Sequence, residues 1–344
     1  EDIKYDVGEA FDEANLLFHR PEKALVGIRY KADKMKTVWF DKRFTDIQGQ
    51  LDGKYPGFVN TIVDWTDDLK KVLVRSSNHK TLGKVLILAV EDQQSIVQTD
   101  AARRLDLTQF ATTKVVSYQT QDNYTIEAYL TVPNQAQAAR APLVVLPHGG
   151  PFARSDPEYF SYVQYLASRG YAVIEPNFRG SVGYGRKHLL SAKGSIHHLM
   201  IEDIVDSAKW AVEAGVADES NIHIMGFSYG GYAAVMASIK YPDIFKSAVA
   251  YAAPMDINQQ IKDYKKNGHY FSYEFWSEMV AGNNLSRTYL QGMSPIVSAN
   301  NIKVPTLIVH GDQDKRVSVD QAKKFKKKWA KKNSNVDVSI LKDE

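Results

Sequence analysis

The chain has 344 residues, 44% of them apolar, with 43 basic against 40 acidic side chains and a formal net charge of +3. That length exceeds one ordinary domain and suits two, and the near-balanced charge supplies no global field to recruit nucleic acid or an anionic membrane. No cysteine occurs, which excludes a disulfide framework, a thiolate nucleophile and a cysteine-ligated metal.

No run of about 18 apolar residues is present, so no membrane span is expected. The chain begins at Glu1 without a methionine, so the lack of a leader peptide leaves the compartment open between cytoplasm and periplasm. Near the start, Asp6, Glu9, Asp12 and Glu13 form an acidic cluster, read as a solvated loop, with a site for a substrate amine as the alternative. Residues 24–30, 37–40, 71–76 and 84–90 are short β-rich runs, punctuated by the turn residues Asp52-Gly53 and Asp67-Asp68. An antiparallel, all-β region is expected over residues 1–110. The stretch Asp64-Trp65-Thr66-Asp67-Asp68 followed by Leu69 to Val74 has the turn-and-strand character of a β-propeller blade. A propeller closes only with at least about four blades, and this segment has room for about two. It is either the end of a larger propeller or a small sandwich, with its boundary between Arg104 and Thr113.

From residue 111 the pattern changes. A hairpin is expected around Asp122-Asn123, then a buried strand at Leu143–Leu146, a helix at Tyr162–Ser168 and a strand at Tyr171–Ile174. In the next segment Ile201, Ile204, Val205, Ala208 and Val212 share one helical face. Strands follow at 222–225, 247–251, 306–309 and 336–340, with a helix from about Val319 to Lys331. This alternation predicts a doubly wound, mostly parallel sheet with helices on both faces over 111–344, with active residues at the C-terminal ends of its strands.

Within that pattern, Gly226-Phe227-Ser228-Tyr229-Gly230-Gly231 reads as strand, sharp turn and helix. Small residues at both ends let the chain reverse tightly enough to thrust the serine outward. Ser228 is the candidate nucleophile, and the backbone N–H of Tyr229 opens a helix toward the developing oxyanion. A second N–H donor is expected from the glycine loop His148-Gly149-Gly150-Pro151, Gly150 being favoured. A serine hydroxyl needs a base, and the base needs a carboxylate. The turn His310-Gly311-Asp312-Gln313-Asp314 offers Asp314, with Asp312 as competitor. His148 and His310 both precede their partners in the chain order serine, acid, base, and are read as bracing residues.

Other motifs carry less. The lysines between Lys323 and Lys332 surround Ala322, Phe325 and Trp329 at helical spacing, which makes a solvated helix face rather than a polyanion site. His197-His198 with Glu202 lacks the spacing of a zinc hydrolase, and Asn177 to Gly185 lacks that of a dinucleotide loop. The aromatic run Tyr270 to Trp276 lies where lid helices are inserted, and Trp276 is a candidate for the apolar substrate pocket.

The elbow around Ser228, the loop His148-Gly149-Gly150-Pro151, the run Asn177-Phe178-Arg179-Gly180-Ser181-Val182-Gly183-Tyr184-Gly185 and the acid turn together resemble the catalytic domain of the prolyl oligopeptidase family, its acylaminoacyl- and dipeptidyl-peptidase branches above all. The resemblance implies an α/β-hydrolase domain following a β-propeller, in a serine peptidase acting on short peptides, without metal or organic cofactor. It implies Ser228 as nucleophile, Asp314 as acid, Gly150 and Tyr229 as oxyanion donors, and Tyr229 and Val317 as lining the pocket for the side chain before the scissile bond. One departure stands out. No histidine follows His310, whereas the family places its base after the strand that here spans Val336 to Leu341. The expectation is an internal piece of a longer peptidase with almost no activity by itself. A carboxylesterase using the same residues and a catalytically dead binding module are the alternatives, and a homo-oligomer is left open.

Overall fold

The computed structural model describes residues 14–32, 34–92, 94–100, 110–134 and 140–344. Strands β1 (Ala14–His19), β2 (Ala24–Lys31) and β3 (Met35–Trp39) form a three-stranded antiparallel sheet. Strands β4 (Val59–Trp65), β5 (Lys71–Asn78), β6 (Thr81–Ala89) and β7 (Gln94–Asp100) form a four-stranded antiparallel sheet in chain order, the layout of a propeller blade.

The expected all-β segment is interrupted by helix α1 (Lys42–Lys54), and Asp52-Gly53 lies inside it rather than in a turn between strands. The helix forms because Asp41 caps it by accepting from the Arg43 N–H at 2.8 Å. Phe44, Ile47 and Leu51, spaced three and four apart, are all buried. Phe44 stacks on Trp39 at 4.8 Å between ring centroids and meets Trp65 edge-on at 4.7 Å. Burial of this stripe outweighs the poor helix propensity of Gly49 and Gly53. The acidic cluster at residues 6–13 and the run Leu105 to Thr108 lie outside the described residues.

The remaining strands build one eight-stranded sheet: β8 (Thr113–Gln119), β9 (Thr125–Thr131), β10 (Ala141–Val145), β11 (Ala172–Pro176), β12 (Ala217–Phe227), β13 (Ser247–Tyr251), β14 (Thr306–Gly311) and β15 (Val336–Leu341). Their spatial order is β15-β14-β13-β12-β10-β11-β9-β8. The pairs from β11 to β15 are parallel, while β9 is antiparallel to both β11 and β8. After β10 the chain first adds β11 on one side and later β12 on the other, so the order reverses at β10. The crevice beyond the C-terminal ends of β10 and β12 is therefore where a sheet of this kind holds its ligand.

Helices α2 (Ser161–Ala167), α3 (Arg186–Ser191), α4 (Leu199–Glu213) and α5 (Tyr229–Lys240) complete the centre. The largest core lies under α4 and α5, where Ile201, Ile204, Val205 and Ala208 meet Leu143, Val145 and Ile174. A smaller core on the other face joins Val163 of α2 to Leu146 and Val173. Adjacent residues of β11 thus serve opposite faces, as a strand requires.

The loop after β11 is fixed by a buried charge cluster. Arg179 donates through its backbone N–H and its Nε to Asp203 of α4, both at 2.9 Å, and through Nη1 to Asp122 of the β8–β9 turn at 2.5 Å. Asp203 is fully buried, whereas the Asp122 side chain is 55% exposed. Asp203→Ala is expected to cost about 3–5 kcal/mol because it strands a buried guanidinium, and Asp122→Ala at most about 1 kcal/mol because water replaces the lost partner. Urea unfolding of both variants measures the contrast, which equal losses would refute.

Candidate active site

Ser228 occupies the single position between the end of β12 and the start of α5, with φ 54° and ψ −120°. A non-glycine residue is strained there, and three glycines make the turn possible. A Cβ on Gly226 would come within 2.3 Å of the Gly230 carbonyl carbon, and one on Gly230 within 2.1 Å of the Pro147 carbonyl oxygen. A Cβ on Gly231 would sit 2.9 Å from the Gly226 oxygen. The serine is held by its own backbone, whose N–H donates to Tyr251 O at 2.8 Å.

The loop after β10 lies directly against this elbow. A Cβ built on Gly149 would be 3.5 Å from that of Ser228. Gly150 has φ 132°, a conformation open to glycine. His148 is fixed from both ring nitrogens, Nε2 pairing with Ser181 Oγ at 2.8 Å and Nδ1 with Gly149 O at 2.7 Å, and it stacks on Phe178 at 4.2 Å. Burial lowers its pKa to about 4, so it is a neutral brace at neutral pH. The N–H of Tyr229, at the first position of α5, has no acceptor within the helix by helix geometry, whereas that of Tyr232 already donates to Ser228 O at 3.0 Å.

At the end of β14, Asp314 accepts from the Arg316 and Val317 N–H groups through Oδ1, at 2.8 and 3.0 Å. Its Oδ2 lies 3.3 Å from Nε2 of His310. That histidine is completely buried, and its Nε2 also lies 2.8 Å from Val317 O. It is thus locked inside the turn. Asp312 instead accepts from the Asp343 N–H at 2.9 Å, clamping this turn to the segment after β15.

The side chains of Tyr229, Val317 and Trp276 are all buried. The Tyr229 hydroxyl donates to Ile196 O at 2.8 Å and its ring packs on Phe178 and Tyr232. Trp276 meets Tyr264 edge-on at 5.5 Å and belongs to the same core as Tyr229. His198 pairs with Glu202 at the surface, at 2.9 Å. Among the described residues no group of three metal-ligating side chains forms, and no helix is long and apolar enough to cross a membrane.

Sequence reasoning missed a pocket next to the elbow. A pocket of about 350 Å³ opens beside Gly149 and Phe227, and Arg154, Asp156, Glu158 and Glu175 line it. Arg154 donates to Tyr129 Oη at 2.7 Å and pairs with Asp156 at 3.3 Å. Lys31 of β2 reaches Asp156 at 2.5 Å, and Arg75 of β5 reaches Glu158 at 2.9 Å. Glu175 interrupts the otherwise apolar run of β11, and that interruption was its one signal in the sequence. It is 7% exposed, and burial, helped by the negative charge of Asp156, raises its pKa to about 8.

A raised folded-state pKa favours folding while the carboxyl is protonated. The benefit is complete below the ordinary glutamate value of about 4.3 and is lost as pH rises through about 8. Glu175→Gln is therefore expected to stabilise the protein near pH 8.5, on the order of 5 kcal/mol, and to leave it unchanged near pH 4. Urea midpoints at the two pH values provide the check.

The profile of the Prolyl oligopeptidase family matches residues 157–344. The chain is 35% identical over 237 residues to dipeptidyl aminopeptidase BIII of Pseudoxanthomonas mexicana, a match covering 67% of this chain and 34% of that protein. It is 32% identical over 205 residues to the acylamino-acid-releasing enzyme of Arabidopsis thaliana, covering 58% of this chain and 26% of that protein. The match thus spans about a quarter to a third of the length of these curated relatives. In fold, the chain resembles a puromycin-hydrolyzing peptidase of Mycobacterium tuberculosis, with a TM-score of 0.71 at 23% identity over 80% of this chain and 43% of that one. With the family profile covering more than half its length, the chain belongs to the prolyl oligopeptidase family of serine-type peptidases.

Proposed function

We propose that residues 111–344 form the catalytic part of a serine peptidase that hydrolyses short peptides through an acyl-enzyme, and that residues 1–110 belong to a propeller that precedes it. The observation that carries the reading is the left-handed backbone of Ser228, held against Gly149 at the crevice where the strand order reverses. Strain of that kind is kept where it positions a reacting group.

In this mechanism Ser228 Oγ attacks the peptide carbonyl, and the oxyanion is held by the N–H groups of Gly150 and Tyr229. The amine half leaves with a proton, and water then releases the acyl half. Asp314 orients the base with its carboxylate already pinned by two backbone N–H groups. Tyr229, Val317 and Trp276 are assigned to the acyl side, where they set the shape of the pocket for the side chain before the scissile bond. The base is assigned to a histidine outside residues 1–344, because His148 and His310 are both committed to bracing contacts. No cofactor enters these steps.

A fluorophosphonate probe tests this directly. This chain is expected to label slowly at Ser228, and a chain extended with its native downstream sequence about a hundredfold faster or more, in keeping with the cost of removing a triad member. Ser228→Ala should abolish labelling in both. Absence of labelling in the extended chain would favour a binding module with a relic elbow.

A further inference from the structure

The pocket beside Phe227 and Gly149 is separate from the side chains assigned to the acyl half, since none of Tyr229, Val317 and Trp276 lines it. Its lining includes Phe227, which precedes Ser228, and Gly149, which packs against it; with the acyl half assigned to other side chains, this pocket is assigned to the departing amine. This step rests on the acyl-enzyme reading above.

The chemistry of the pocket is unbalanced in one place. Its walls are apolar at Leu146, Phe160 and Phe227, and Glu175 enters it from the end of β11. The Glu175 carboxyl is nine-tenths buried and makes no hydrogen bond or ion pair with any described residue. A carboxyl that is largely buried and has no protein partner is costly to ionise, because little water reaches it. The nearby cations are engaged elsewhere for the most part, although Nη1 of Arg154 is buried without a hydrogen-bond partner. Lys31 pairs with Asp156, Arg75 pairs with Glu158, and Arg154 lies between Asp156 and Glu127 at 3.3 and 3.9 Å. His148, also in the lining, is neutral at neutral pH. An ionised Glu175 is thus the one carboxylate of the pocket with no ion pair among the described residues, and a cationic ligand would supply one.

We propose that this pocket receives the leaving-group half of the substrate and that Glu175 gives it a preference for a cationic side chain on the residue after the scissile bond. A guanidinium or ammonium reaching Glu175 would lie in a region shielded from water, where a charge-assisted hydrogen bond is strong. Its apolar stem would pack along Phe160 and Phe227. Because Glu175 holds a proton up to about pH 8, the incoming cation must expel that proton at lower pH. Affinity for a cation therefore rises with pH until the carboxyl is ionised without help.

Arginine amide and citrulline amide separate charge from shape, since they share the same α-amine and nearly the same outline. Calorimetric titration of the full chain near pH 9 is expected to show arginine amide binding about tenfold tighter or more. Near pH 6.5 that preference should shrink by about tenfold, the proton on Glu175 now competing. Glu175→Gln, which mimics the protonated side chain in size, should bring the two amides within about twofold at both pH values. Equal binding by the unaltered protein near pH 9, or a preference that survives Glu175→Gln, would overturn the proposal. The pH response of the unaltered protein gives a reading that does not depend on the variant's folding. Binding is read without turnover, so the two readings fail separately. A chain that keeps the arginine preference while Ser228 never labels retains the cation site and loses the peptidase mechanism, and the reverse result removes only the cation site.

Discussion

The site depends on a contact between two stretches of bare backbone. The turn from β12 into α5 approaches the loop after β10 so closely that a single carbon atom on Gly230 would run into the Pro147 carbonyl. This approach brings Ser228 and the Gly149-Gly150 loop to one spot, and neither side has a side chain with which to adjust. Shape here is set by the absence of atoms. The precision required of an oxyanion site, a fraction of an ångström, is consistent with that solution, because backbone fixed by a parallel sheet moves less than a side chain does.

Around this contact the polar side chains act as struts. His148 bridges its own loop to Ser181, Arg179 ties the loop after β11 to α4, and Asp312 fastens the acid turn to the chain beyond β15. Each strut joins one loop at the C-terminal edge of the sheet to a neighbour. The loops therefore behave as one rim, although they are far apart in sequence.

The eight strands of the large sheet and the elbow were legible in the sequence because each is a local pattern. A buried parallel strand is a short apolar run, and a tight reversal is spelled by glycines. Helix α1 was not legible, because Gly49 and the Asp52-Gly53 pair mimic a turn, and the rings of Trp39 and Trp65 that bury its stripe come from strands on either side of it. The pocket wall escaped for a related reason. Arg154 and Glu175 come from different elements, and nothing in either neighbourhood says that they will share a cavity. Burial, which decides whether a carboxyl holds its proton near pH 7, is a property of the assembled fold.

The five residues from Arg154 to Glu158 belong at once to the rim of the large sheet and to the grip of the two small ones. Lys31 holds Asp156 from the three-stranded sheet, and Arg75 holds Glu158 from the four-stranded sheet. Gln164 of α2 adds a third link by donating to His79 O, just beyond β5, at 3.1 Å. One wall of the pocket is thus also a seam of the molecule, built jointly by stretches that lie more than a hundred residues apart in the chain.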